Sequence, residues 1–148
     1  YEDLYTVHRL DMDTSGIILF AKTFEAAVNL QKQFENHTIR KTYHARLSAS
    51  AEGKMLNIGD KGKIELPLSP DYDERPRQKV DFKQGKAAYT EYEIISRNSD
   101  GTVDVRLYPH TGRTHQIRVH MAHLGCPVCG DFLYGTELPE LPDIRELN

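Results

Sequence analysis

Apolar and polar positions along the chain follow more than one period, and each period predicts its own element. Leu4-Tyr5-Thr6-Val7 reads as a strand. Ile17-Ile18-Leu19-Phe20 reads as a second strand, apolar enough to be buried. Thr23 suits the N-cap of a helix running to about Asn36, with Phe24, Ala27, Val28 and Phe34 as its apolar stripe and Glu25 in its first turn. Lys41 to Leu47 returns to period two, with Tyr43, Ala45 and Leu47 on one face and Thr42, His44 and Arg46 on the other. Taken alone, Tyr43 is a half-buried strand tyrosine whose hydroxyl needs a neighbour. From 48 to 86, Gly53, Gly59, Gly62 and Gly85 punctuate short candidate strands such as Lys63-Ile64-Glu65-Leu66. Ala87 to Ile95 and Thr102 to Leu107 alternate on either side of Asn98-Ser99-Asp100-Gly101, a strong hairpin turn. After the loop Pro109-His110-Thr111-Gly112-Arg113-Thr114, with Thr114 as cap, Ile117, Met121 and Leu124 recur at helical spacing and Gly125 ends the run. Mostly antiparallel strands with few helices predict an α+β protein.

Length and composition narrow the classes. A chain of 148 residues suits one domain, and 39% hydrophobic content is enough for a core. No apolar run approaches the ~20 residues of a membrane span, so no membrane partner is expected. The start at Tyr1, without Met or a signal-like segment, reads as part of a longer protein. Cys126 and Cys129 are too few and too close for a secreted disulfide framework, which points to an intracellular, cytoplasmic location. Net charge −3 argues against a nonspecific polyanion binder while leaving room for a local basic site.

Two stretches carry candidate chemistry. Val7 to Gly16 holds Arg9, Asp11, Asp13, Thr14 and Ser15 in a short polar loop between two predicted strands. Such a loop can hold Asp11 at a fixed position as a catalytic carboxylate, although Asp, Thr, Ser and Gly are also ordinary turn formers. The second stretch runs from Val105 to Gly130 and contains no Asp or Glu in 26 residues. It contains Arg106, Arg113, Arg118 and four of the seven histidines, His110, His115, His120 and His123. That is the expected footprint of an anionic ligand on an otherwise acidic protein, or else a polar helix face, and the helix N-terminus adds a partial positive charge. Arg75-Pro76-Arg77-Gln78-Lys79 is a smaller basic cluster, either a solvated loop or a phosphate contact. His120, His123, Cys126 and Cys129, each three apart, invite zinc, but zinc sites place ligand pairs on separated segments and Gly125-Cys126-Pro127 redirects the chain. A Cys-x-x-Cys redox pair lacks the surrounding βαβ pattern.

Taken together, these stretches resemble the RluA-type pseudouridine synthases. His8-Arg9-Leu10-Asp11 with Thr14-Ser15-Gly16 is similar to that family's catalytic-loop signature, and Lys41-Thr42-Tyr43-His44-Ala45 to its second motif. Arg75-Pro76-Arg77-Gln78 and Gly85-Lys86-Ala87-Ala88-Tyr89-Thr90 resemble its middle segment. Thr111-Gly112-Arg113-Thr114-His115-Gln116-Ile117-Arg118-Val119-His120, then Gly125 and Gly130-Asp131, resemble its third. The motifs occur in the family's order over about residues 5 to 135. The resemblance implies the pseudouridine synthase catalytic fold, a mixed, mainly antiparallel sheet with a few flanking helices. It implies an isomerase that detaches uracil from ribose in rRNA or tRNA, turns it and rejoins it through carbon, without metal or cofactor.

By the same resemblance Asp11 attacks the ribose or the base ring, Tyr43 stacks on the flipped base and acts in proton transfer, and Arg118 pairs with the aspartate. Arg9 and Arg113 would bind phosphate or help open the RNA, and His8, His115 and Gln116 join them as RNA-binding candidates. A monomer is expected. The catalytic domain, residues 1 to 148, would lack the family's opening strands and its C-terminal strand region after Tyr134-Gly135. Cys126-Pro127-Val128-Cys129 departs from the family, which commonly has a histidine before the proline and an apolar residue before the glycine; both cysteines read as packing residues. Two other classes stay open, a noncatalytic RNA-binding module on the same fold and a zinc-dependent hydrolase.

Overall fold

The computed structural model describes residues 4–48 and 58–135. The chain forms two compact units, Tyr1–Lys41 and Thr42–Asn148.

In the first unit, β1 (Tyr5–Thr6) pairs antiparallel with β2 (Phe20–Ala21), Tyr5 opposite Ala21. Helix α1 (Phe24–Glu35) follows at once. Thr23 caps it as its sequence predicts: its backbone is extended and its hydroxyl accepts the Ala26 N–H at 3.1 Å. Tyr5 meets Phe24 edge-on, with ring centroids 6.2 Å apart. The expected buried strand at Ile17–Phe20 is corrected. Only Phe20 and Ala21 pair, Ile17 is 84% exposed, and Ala21 is the buried residue. A two-residue ladder covers one edge of this segment and neither face, so its apolar run alone could not bury it.

In the second unit, β3 (Tyr43–Leu47), β4 (Lys61–Glu65), β7 (Tyr89–Arg97) and β8 (Val103–Pro109) form one sheet in the order β3-β8-β7-β4; β5 (Leu68–Pro70) and β6 (Gln78–Val80) form a separate hairpin. All pairings among the described residues are antiparallel. The alternation of β8 decides which face is inside. Val103, Val105 and Leu107 are buried and Asp104, Arg106 and Tyr108 face the other way. The Asn98–Gly101 turn joins β7 to β8 as predicted, with the Gly101 N–H donating to the Asn98 carbonyl and Gly101 at φ 86°. The register slips between Ile94 and Ser96, and this bulge turns Ile95 outward. Helix α2 (Gln116–His123) brings Met121 into the core formed by Leu47, Ile64, Ile94, Val103, Val105 and Leu107, with Ile117 and Leu124 packed against it. Gly125, at φ 76°, ends it in a Schellman motif: the Gly125 N–H donates to Ala122 and that of Cys126 to Met121.

The Cys126–Cys129 segment then lies along the edge of β3. Val128 bridges Leu47, the Ser48 N–H donates to the Pro127 carbonyl, and the Cys129 N–H donates to the Arg46 carbonyl. This covers an otherwise open sheet edge. Cys126 is buried in the core and Cys129 half-buried. His120 is fully buried, with Nδ1 2.9 Å from the Thr90 hydroxyl and Nε2 3.1 Å from the Leu66 carbonyl. Leu66 O can only accept, so Nε2 carries the proton and neutral Nδ1 accepts from Thr90. Both ring nitrogens therefore serve packing. No helix among the described residues is long and apolar enough to cross a membrane. Gly53, expected to punctuate short strands, lies outside the described residues.

Candidate active site

The Asp11 loop is built by a histidine. Between β1 and β2 the chain doubles back, and the Leu19 N–H donates to His8 Nε2 at 2.9 Å across the two limbs. Accepting through Nε2 leaves the neutral imidazole's proton on Nδ1. The same ring packs on Phe34 of α1 at 5.1 Å between centroids. His8, an RNA-binding candidate by sequence, is thus the side chain that closes this loop. At its tip Thr14 N–H donates to the Asp11 carbonyl at 3.0 Å, making the turn its composition predicts. Asp11 is half-buried, whereas Arg9, Met12 and Asp13 project to the surface. Gly16, at φ 149°, lets the chain leave the turn in a conformation that costs other residues. Turn former and candidate nucleophile are therefore compatible at Asp11: the backbone carbonyl makes the turn, and the carboxylate is not needed for it.

The second unit holds Tyr43 and the α2 residues. Tyr43 opens β3 opposite Leu107, half-buried, with its ring against the core. Alternation puts it on the core face of the strand.

The loop before α2 is held by Gln116, not Thr114. The expected Thr114 cap is corrected. The N-cap position is His115, in the left-handed conformation at φ 52° and without a side-chain cap bond. Gln116, only 4% exposed, holds the loop ahead of α2 from inside. Its Oε1 accepts from the Thr111 hydroxyl at 2.6 Å and the Arg113 N–H at 3.0 Å; its Nε2 donates to the Tyr89 carbonyl at 3.0 Å and the Thr90 hydroxyl at 2.9 Å. With all four bonds made and the amide buried, Gln116 shapes the surface from beneath it. Arg113 is fastened through Nε to the Ala87 carbonyl at 3.0 Å and faces no carboxylate among the described residues.

Arg118 is more tightly held. Nε and Nη2 each donate to Asp131, both at 2.7 Å, and the two side chains are 15% and 3% exposed. Asp131 also accepts the N–H groups of Leu133 and Tyr134, at 3.0 and 3.2 Å. Burial pushes this carboxyl upward, but the Arg118 fork and the two amides outweigh it and hold it below the usual range. The Tyr134 ring lies 5.1 Å from the Arg118 guanidinium carbon and 5.5 Å from that of Arg77. Its hydroxyl accepts the Gln78 N–H at 2.7 Å and lies 2.7 Å from His115 Nδ1.

Within the acid-free run, Arg118 pairs with Asp131 and Arg106 with Glu93, and His110 Nε2 lies 3.1 Å from Glu91, all from outside the run, while Arg113 pairs with no carboxylate among the described residues. The Arg75–Lys79 cluster is likewise partly neutralised, Arg77 by Glu74 and Lys79 by Asp71. Sequence reasoning missed Asp131 and Tyr134 as site residues. The available signal was position: Asp131 is the first acid after 26 residues without one.

A family model described as RNA pseudouridylate synthase matches residues 1–123. The dual-specificity RNA pseudouridine synthase RluA of Yersinia pestis is 48% identical over 129 residues, covering 87% of this chain and 60% of that protein. The protein of the same name from Escherichia coli K12 is 43% identical over 139 residues, covering 92% and 59%. Among solved structures, human RNA Pseudouridylate Synthase Domain Containing 1 aligns with a TM-score of 0.76 at 29% identity, covering 90% of this chain and 56% of that one. The chain belongs to the RNA pseudouridylate synthase family, and within it resembles the RluA type. It spans about three-fifths of the length of the RluA proteins it matches.

Proposed function

We propose that the protein isomerises uridine to pseudouridine in RNA, with Asp11 as nucleophile. The observation that carries this reading is Asp11 itself: a half-buried carboxylate at the tip of a His8-closed turn, in a chain whose family match covers both that turn and α2. A base inside a stack is out of reach of a carboxylate, so the target must be flipped out, and an aromatic platform offsets part of the unstacking cost. Tyr43 supplies the platform. Asp11 must be ionised to attack, and the guanidinium that the resemblance gives it, Arg118, favours the charged form. Asp11 forms a bond to the ribose or to the base ring and is released again as carboxylate; over the whole reaction the bond from N1 to the sugar breaks and one from C5 forms, C5 loses a proton and N1 gains one, so no oxidant or cofactor is consumed.

Arg9, Arg113 and His115 supply phosphate contacts in this reading, while His8 and Gln116 hold the two loops that present them. The RNA is ribosomal or transfer RNA, in keeping with relatives named for dual specificity. The protein acts as a cytoplasmic monomer.

Asp11→Asn keeps the size and turn compatibility of the side chain but removes its charge and nucleophilic oxygen. In the full-length protein we expect an unchanged melting temperature, RNA affinity equal to or tighter than the parent's, and no pseudouridine by mapping of modified RNA. Pseudouridine at the parent rate sinks the assignment. A folded parent that binds RNA without modifying it is the binding module instead.

A further inference from the structure

We propose that Asp131 and Tyr134 are positioning residues for the reaction, acting through Arg118. The inference rests on the reading of Arg118 as the active-site guanidinium. A free arginine on a helix has many rotamers, and a guanidinium that stabilises charge must already be aimed when the charge develops. Here that freedom is removed from two directions. The bidentate fork to Asp131 fixes the guanidinium plane through Nε and Nη2, which leaves Nη1 on the opposite edge in one defined orientation. The Tyr134 ring lies against the guanidinium at 5.1 Å.

The supports are themselves fixed. Asp131 is 3% exposed and receives two backbone N–H groups from the turn it begins, which the Gly135 N–H closes onto the Asp131 carbonyl at 2.7 Å. Tyr134 is pinned at its hydroxyl by Gln78 of β6 and by His115, the left-handed residue just ahead of α2. The unusual His115 backbone thereby has a physical reason: it brings the imidazole to 2.7 Å from the Tyr134 hydroxyl, edge-on to the ring at 5.6 Å. Three separate segments, β6, the start of α2 and the 131–135 turn, converge on one guanidinium. An ion pair needed only for stability would not require an aromatic ring tied at its far end. A buried pair is in any case weak evidence of net stabilisation.

The test uses the full-length protein and an RNA that it modifies. Asp131→Asn keeps the shape and most hydrogen bonds but loses the ionic fork. Expected are a kcat lower by about 10²-fold, an RNA affinity like the parent's, partial recovery in Asp131→Glu, and a much smaller effect of Asp131→Asn when Arg118 is already lysine. Parent-level kcat in Asp131→Asn overturns the proposal, as does an equal loss in both backgrounds, because that loss would not pass through Arg118. Should Asp131→Asn fail to fold, Tyr134→Phe carries the test. It keeps the ring and removes only the hydroxyl tie, so a lower kcat at unchanged RNA affinity supports the proposal and a parent kcat overturns it. In each of these failures the parent still makes pseudouridine and the proposed function stands. A parent that makes none overturns that function and this inference together.

Discussion

Tyr43 separates two roles that one residue can carry. Its ring packs on the core beside Leu107, and its hydroxyl is the group to which the proposed function gives proton transfer. Tyr43→Phe keeps the ring area and removes the oxygen. The expected outcome is near-parent melting temperature and RNA affinity with turnover lost, read from single-turnover kinetics beside a binding isotherm. Turnover at the parent rate would leave Tyr43 as a platform only. Gln116 differs from Tyr43 in this respect. Both lie in family-like motifs, yet Gln116 is buried with its amide fully bonded, so in the proposed function it acts through the loop it holds.

Among the elements, the pairing of β4 with β7 has a specific steric condition. Gly62 stands opposite Tyr92, whose ring occupies the space a Cβ at position 62 would need. The ring in turn packs against the core. Gly62→Ala should therefore destabilise the protein by about 1–3 kcal/mol, the usual cost of forcing extra volume into a packed place. Urea unfolding measures it, and an unchanged midpoint would mean that Tyr92 swings aside without loss. On the outer face of the same sheet, Lys61 and Lys63 reach Glu93 and Glu91, and Arg46 pairs with Asp104 in a two-point fork. These pairs are exposed and fix register more than they add stability.

For the whole molecule, buried His120 is expected to lead the response to mild acid. Burial is the main cause that lowers its pKa from the ordinary 6.5, His123 adds to the lowering, and the bond to the Leu66 carbonyl works against it. The folded state thus takes up the proton later than the unfolded chain as pH falls. Its stabilising contribution is complete above about pH 6.5, shrinks as pH falls below that value, and is gone once the folded histidine also protonates. Asp131, Asp104 and Glu91 are all held below their ordinary values, so their contribution is lost only in stronger acid. The melting temperature should therefore fall between pH 7.5 and pH 5.5, well before the carboxylates titrate. His120→Gln should flatten that first step. A parent whose melting temperature is level over this range would show that His120 is charged in the fold or does not govern it.

Local rules at α1 were legible because each concerns neighbours in the chain: Thr23 caps its own helix, Asn98–Gly101 turns its own hairpin, and the period-two faces of β3 and β8 are those of their side chains. The ordered motifs likewise marked Asp11, Tyr43 and Arg118 as candidates. Three features required the fold. Ile17–Phe20 reads as a buried strand, but burial needs covering surfaces that an apolar run cannot supply for itself. Thr114 reads as a cap, yet Gln116 bonds to residues up to 27 positions away and shifts the helix start by one. The acid-free run reads as the footprint of an anionic ligand or as a polar helix face, whereas the fold shows which of its arginines are paired: Asp131 holds Arg118 and Glu93 faces Arg106, while Arg113 pairs with no carboxylate among the described residues. The sequence by itself determined the short-range geometry and the chemical candidates, because those depend on φ/ψ preference and side-chain type. The tertiary structure decided which charges are paired and which polar groups are buried, because electrostatics and solvation follow distance in space and not separation along the chain.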